Sequence, residues 1–405
     1  MLERAHELDL ADPLRAFRDR FQLPDNTIYL DGNSLGALPK AAIDRVQQVV
    51  TGEWGDGLIR SWNDADWINL PQRIGAKIAP LIGAQAHEVI VADSVSVNLF
   101  KLMSAALKMR PGRKVILSEP GNFPTDVYMI EGLEEQGLAQ RKLVAREQIS
   151  QALDEGVALL LLTHTHYKSG AMHDMSALTK AAHEAGALVL WDLSHTGGAM
   201  PVDLDGVDAD FAVGCGYKYL CGGPGAPAYA FVAERHHELL HQPLSGWMGH
   251  AQPFAFQDDY APAPGVDRLL CGTPQILSMS ALEVGVDLIA EIGVDRLYAK
   301  SQALSEFFLE CLRGRDIALE LASPADSAKR GSQLSFRHEN AYAICQALIA
   351  RGVIGDFRDP DILRLGFAPA YLWFEDMAEA ARHLSEVLSS GEWRREEFNQ
   401  RAAVT

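Results

Sequence analysis

The chain of 405 residues predicts an α/β fold, with a mostly parallel central sheet sandwiched by helices and a smaller α+β domain beside it. Three observations predict it. From residue 88 onward, short apolar runs alternate with amphipathic helical stretches. The runs lack strict in–out alternation, as strands covered on both faces do. After about residue 275 the pattern changes to long helices separated by two short strand signals.

Residues 1–27 read as polar and helical, and 27–30 (TIYL) as a short strand leading into the turn DGNSLG, 31–36. After Pro39, the stretch 40–51 has apolar residues at helical spacing. The tryptophan-rich stretch 54–67 reads as a structured loop, and a helix follows at about 69–82. Strands are expected at 88–93, 114–120, 157–164, 187–195, 210–215 and 226–233, with helices at 97–109, 125–136 and 175–186. Further helices fall at 278–291, 294–314, 341–351 and 376–389, and strands at 332–338 and 362–369. The expected division is a large domain over 51–274 and a small one made of 1–50 and 275–405.

Composition excludes several function classes. The chain is 48% hydrophobic and 22% charged, as ordinary globular proteins are. A net charge of −18 argues against nucleic acid or an anionic membrane as partner. The cysteines at 215, 221, 271, 311 and 345 are odd in number and form no CxxC pair, which fits a reducing cytoplasm. The first residues are charged, with no apolar core of a signal peptide, and the longest apolar runs are too short to span a bilayer. No metal is expected, since His164 and His166 have no HExxH or cysteine partner nearby. His236 and His237 are expected on the surface of a helix. No GxGxxG follows a strand and no GxxxxGK[ST] occurs, so nicotinamide and P-loop readings are weak.

In parallel sheets, ligands bind beyond the carboxyl ends of the strands, so the residues just after each run matter most. Ser96 opens a helix, where it is either an anion-binding group or a plain cap. Phe123 follows the next strand and is either a ring-stacking residue or core. Thr163 ends a third strand, Asp192 and His195 follow a fourth, and Tyr217-Lys218 a fifth. Taken alone, Lys218 reads as a solvated lysine and Asp192 as a turn residue. Taken together, an imine-forming amine and a carboxylate able to hold a pyridinium nitrogen are the pair that pyridoxal 5′-phosphate needs. Arg364 interrupts an apolar strand and needs a partner, either a substrate carboxylate or an internal acid.

The segments DGNSLG (31–36), WGDGLIRSW (54–62), NFPTD (122–126), WDLSH (191–195), YKYLCGGPG (217–225), LSGWMGH (244–250) and RGVIGDFR (351–358) together resemble bacterial kynureninases, from Tyr29 to Pro369. The resemblance implies a fold-type-I pyridoxal-phosphate enzyme, a homodimer with its sites at the subunit interface. It implies hydrolysis of L-kynurenine to anthranilate and L-alanine in tryptophan catabolism, on the route that also feeds NAD biosynthesis. It implies that Lys218 carries the cofactor and that Asp192 pairs with its ring nitrogen. Val95 and Ser96 would hold the phosphate, with Tyr217 and Trp247 adding bonds to it. Phe123 would stack on the ring, while Pro124, Thr125, Asp126, Thr163 and His195 line the pocket. Thr273 would reach the phosphate from the neighbouring subunit, as Trp247 would. Arg364 would bind the substrate carboxylate, with Ser34 and Trp62 bordering the aryl ring, and Tyr217 would relay a proton beside Lys218. The LIRSW form points to kynurenine rather than 3-hydroxykynurenine. The competing readings are a cysteine desulfurase or aminotransferase of the same fold, or a non-catalytic relative. A desulfurase needs a loop cysteine in its C-terminal half and usually a histidine before the lysine, where Tyr217 stands here.

Overall fold

The computed structural model describes residues 1–315, 317 and 319–401, which divide into two compact units. The larger comprises 42–164 and 173–290, and the smaller 1–41, 165–172 and 291–405.

The larger unit is built on seven strands: β1 (Val89–Val91), β2 (Val115–Ser118), β3 (Gln140–Leu143), β4 (Val157–Thr163), β5 (Leu188–Asp192), β6 (Phe211–Cys215) and β7 (Ala228–Val232). Their order is β1-β7-β6-β5-β4-β2-β3, and only β7 runs against its neighbours. The carboxyl ends of β1, β2, β4, β5 and β6 therefore open on one edge. Every residue of β4 is buried, which explains its unbroken apolar run. Each leucine so placed stabilises the fold by about 1.5–3 kcal/mol relative to exposure.

The helices of this unit are α1 (Leu70–Ile78), α2 (Val95–Met109), α3 (Pro124–Glu135), α4 (Met175–Glu184) and α5 (Ile276–Ile292). Alternate strand residues, among them Ile116, Leu159, Leu161 and Leu190, join a core with Leu99 and Leu102 of α2 and Ile130 of α3. Between them, Trp191 turns toward α4, where its indole donates to Thr179 at 3.2 Å. The sequence reading missed β3, because QRKL is a polar edge strand with no buried residue. It read 54–67 as a loop, whereas helical turns run through Val49–Gly57, Leu58–Arg60 and Ser61–Asp64.

Helix α5 carries the boundary to 290 rather than 274, and its side chains say why. Arg73 and Lys77 of α1 pair with Glu283, the former at 2.9 Å. Gly285 packs so closely that a Cβ there would meet the Leu220 carbonyl oxygen at 2.1 Å.

The smaller unit holds an antiparallel sheet of β8 (Glu320–Leu321), β9 (Gln333–Arg337), β10 (Asp356–Arg358) and β11 (Ile362–Gly366), in the order β8-β9-β11-β10. Its helices are α6 (Val294–Leu312), α7 (Ala341–Ala350) and α8 (Phe374–Ser390). The N-terminal segment belongs here for stated reasons. Ile28–Tyr29 pairs with Val353–Ile354. Asp9, in the helix Leu2–Ala11, accepts from the free N–H groups of Phe374 and Glu375 at 2.7 and 2.9 Å, capping α8. Residues 165–172 are tied in by the Gln333 amide, which donates to the Tyr167 carbonyl at 3.1 Å. Among the described residues, no helix is long and apolar enough to cross a membrane.

Candidate active site

Five strand ends supply the candidate residues of the larger unit. The α2 N-terminus follows β1, with Val95 and Ser96 in its first turn. Ser94, not Ser96, is the cap: its side chain accepts from the Val97 N–H at 3.4 Å. Phe123 stands just before α3, with Pro124, Thr125 and Asp126 in the first turn, where proline's missing N–H costs nothing. Thr163 ends β4, Asp192 ends β5, and the buried His195 follows. Tyr217 and Lys218 follow β6.

Lys218 is 8% exposed, and its Nζ lies 5.6 Å from the Phe123 ring centre and 5.8 Å from that of Tyr217. A solvated strand-end lysine would not be so placed. Its backbone is held by a turn in which the Lys218 carbonyl accepts from Cys221 N–H at 2.9 Å. Gly216 is required two residues earlier, since a Cβ there would meet the Pro227 carbonyl at 2.5 Å.

Two acids share this pocket. One oxygen of Asp192, Oδ1, accepts from the Ser194 N–H at 2.8 Å and its hydroxyl at 2.6 Å. Asp126 Oδ2 lies 3.1 Å from the Thr163 hydroxyl, while its Oδ1 is buried without a partner. Burial drives both carboxyls above their usual range, Asp126 the further, because the Asp192 charge adds to its burial. Lys218 opposes the rise in both. One lysine against two buried acids leaves the pocket short of a cation. A protonated pyridine ring would supply it, so the residues present fit pyridoxal phosphate.

Other candidates lie elsewhere in the same unit. Trp62 and Thr273 share a groove of about 480 Å³ with Val49, Trp54, Trp67 and Ile276; neither Lys218 nor Asp192 lines it. Trp247 stands in an exposed aromatic patch, 5.7 Å from the Phe254 ring and 6.4 Å from that of Phe256.

In the smaller unit, Arg364 is 1% exposed and already paired. Its Nε donates to Asp356 Oδ1 at 2.8 Å and its Nη1 to the Tyr167 carbonyl at 2.7 Å. Its Nη2 donates to Asp356 Oδ2 and, at 2.7 Å, to the Ser34 hydroxyl. The internal-acid reading of this arginine is thus realised. Ser34, expected beside an aryl ring, is bonded into this cluster, donating to Asp356 Oδ2 at 2.8 Å. Arg358 completes it, with Nη2 2.6 Å from the same oxygen.

Sequence reasoning passed over several participants. Asn122 organises the pocket from the start of NFPTD: its Oδ1 accepts from Phe123 N–H at 2.8 Å and lies 2.5 Å from the Thr163 hydroxyl. Ser194 holds Asp192, and Asp356 and Arg358 hold Arg364. All four lie inside the quoted motifs, which was the available signal. His236 and His237 are not on the surface. Both are buried, His236 2.6 Å from Asp210 and His237 2.9 Å from the Val232 carbonyl.

A profile of the kynureninase C-terminal domain matches residues 297–384. The kynureninase of Burkholderia mallei (strain SAVP1) is 50% identical over 100% of this chain and 99% of its own length. That of Pseudomonas fluorescens is 48% identical over 98% of each. Among solved structures, a cysteine desulfurase from Thermococcus onnurineus NA1 superposes with a TM-score of 0.79 at 18% identity, covering 93% of this chain and 98% of that one. The Escherichia coli cysteine desulfurase CsdA gives 0.76 at 19% identity, with the same coverage. These two establish the expected fold-type-I architecture and nothing finer. At half identity over its full length, the chain belongs to the kynureninase family.

Proposed function

We propose that the protein hydrolyses L-kynurenine to anthranilate and L-alanine, using pyridoxal 5′-phosphate, as a step of tryptophan catabolism. The observation that carries this reading is Lys218 facing the Phe123 ring in a pocket with Asp192, within a chain of this family. The unhydroxylated substrate is preferred, as the LIRSW segment suggests.

The cofactor, when bound, supplies an electron sink for the carbon–carbon bond being broken. The chain supplies the rest. Val95 and Ser96, in the first turn of α2, would hold the phosphate, and Asp192 would hold the ring nitrogen through the oxygen that Ser194 leaves free. Lys218 Nζ would move the proton at the substrate α-carbon, and the Tyr217 hydroxyl would return one to the β-carbon once anthranilate has left. Water adds to the γ-carbonyl, so the substrate and one water balance the two products. Arg364 would take the substrate carboxylate.

The same reading makes the protein a cytoplasmic homodimer. Thr273 and Trp247, apart from Lys218, would serve the cofactor phosphate of a partner subunit. Exposed Trp54, Leu58, Ile59, Phe254 and Phe256 support a contact there. We assign the cofactor pocket to the larger unit and the carboxylate-binding arginine to the smaller.

The test is incubation of the holoenzyme with L-kynurenine while anthranilate fluorescence is followed. Absence of anthranilate, with sulfide released from L-cysteine instead, would favour a desulfurase. Cys311 and Cys345 speak against that outcome, since both are buried in helices rather than presented on a loop.

A further inference from the structure

Arg364 has little left to offer a ligand. Of the five N–H groups of a guanidinium, four have partners among the described residues, and one Nη1 hydrogen remains. Recognition of a carboxylate must therefore depend on the charge of the whole cluster. Arg364 and Arg358 bring two positive charges and Asp356 one negative. The fourth member is Asp31, which the proposed function does not use. It is largely buried, hydrogen-bonded with Ser34 and Asp356, and its Oδ1 has no partner. Its backbone bridges Gly366, two residues past Arg364.

The count decides what Asp31 must be. If it is ionised, the cluster is neutral, and an arriving carboxylate leaves one buried negative charge uncompensated. If it is neutral, the cluster carries one surplus positive charge, which a carboxylate cancels. We infer that Asp31 is a positioning residue for Arg364: as a neutral acid beside Asp356 it leaves the surplus charge that admits the substrate carboxylate. This inference rests on Arg364 being the carboxylate-binding residue.

The surroundings support it. Burial first, and then the Asp356 charge, push Asp31 up to about 7, against the pull of Ser34 and Arg364. Asp356 moves the other way, because Arg364, Arg358 and Ser34 all favour its charge. The remaining titratable neighbour is the Cys345 thiol, which burial and these two acids keep protonated. One proton serves the acid pair, and Asp31 holds it. Below about pH 7 the site accepts a carboxylate, and above it affinity falls by up to about tenfold per pH unit.

The experiment compares the holoenzyme with its Asp31→Asn variant at about pH 6 and about pH 8.5, on either side of the expected titration. KM and kcat for L-kynurenine are measured, together with binding of L-alanine and of L-alaninamide, which lacks the carboxylate. The wild-type KM and L-alanine Kd should rise with pH relative to those of Asp31→Asn, while kcat follows one profile in both. Alaninamide binding should show no such difference. A wild-type to variant ratio that stays constant with pH, or an equal rise for alaninamide, overturns the inference. If Asp31→Asn fails to fold, the wild-type comparison of L-alanine with L-alaninamide decides alone. Arg364→Gln separates the two levels of the argument. If it leaves KM unchanged, the role proposed for Arg364 falls. If it raises KM while the Asp31 profile stays flat, only the role of Asp31 falls.

Discussion

Replacing Asp192 by Asn removes the charge of the pocket while keeping its shape. Asp192 Oδ1 is occupied by the Ser194 N–H and hydroxyl, at 2.8 and 2.6 Å, which orients the carboxylate and leaves Oδ2 for a ring N–H. An amide at 192 still accepts from Ser194 but brings no charge to the ring. Breaking one side of a buried, charge-assisted pair costs about 3 kcal/mol, or about two orders of magnitude in kcat. Asp126 provides the contrast within the same pocket. Its burial and the neighbouring Asp192 charge keep its proton on, so Asp126→Asn replaces one neutral group by another. That exchange should cost no more than about 1 kcal/mol, about fivefold in rate. The assay is steady-state anthranilate fluorescence with each variant, alongside cofactor content after gel filtration. If Asp126→Asn proves the more damaging of the two, the charge rests on Asp126. The assignment of Asp192 to the ring nitrogen would then be wrong.

Tyr217→Phe should retain the cofactor and its visible absorbance while kcat falls by about 10²-fold or more, as loss of a proton relay does; normal turnover would end that assignment. Mixing Lys218→Ala with Thr273→Arg, each inactive alone, should restore turnover through hybrid dimers if Thr273 serves the partner's cofactor; no recovery would place Thr273 in its own site or in none. Asp210→Ala should destabilise the larger unit by about 3–5 kcal/mol in denaturant melts, because it strands buried donors. Those donors are the Val189 N–H at 2.8 Å, Arg235 at 2.8 Å, and His236 and His183 at 2.6 and 2.9 Å. These partners, chiefly His183 and His236, hold the Asp210 carboxyl far below the usual range despite its burial. Its contribution is therefore present above the unfolded value near 3.9 and fades as pH falls through it toward the folded one. A stability difference between wild type and variant that does not shrink below about pH 4 would refute this.

The sheet of the larger unit was legible because its chemistry is uniform along each strand. β4, β5, β6 and β7 are buried on both faces, so every residue had to be apolar or small up to the strand end. The first polar residue after each run then marked the site, which is why Thr163, Asp192 and Lys218 could be found. β3 obeys a different rule, being a polar edge strand, and left no such mark. His236 and His237 were misread because residue type was taken as a sign of exposure. Asp210, 26 residues from His236, turns that imidazole into a buried partner.

The charge state of the two polar clusters lay beyond the sequence for a deeper reason. Each unit buries a pair of carboxylates beside a cation: Asp126 and Asp192 with Lys218 in the larger, Asp31 and Asp356 with Arg364 in the smaller. In both, the acid with more donors keeps the charge and the other keeps the proton. Asp192 has the two bonds from Ser194, and Asp356 has Arg364, Arg358 and Ser34. Nothing in the residue types separates the members of either pair, since all four are aspartates. The distinction comes from neighbours drawn from distant segments, as with Ser34 and Arg358, 324 positions apart, whose side chains meet at 3.1 Å. The two pairs also face opposite demands. The first must keep one negative charge for a cationic ring, and the second must keep one positive charge for an anionic substrate. Two buried acids sharing a single proton meet both demands, because the number of arginines or lysines beside them sets the sign that is left over.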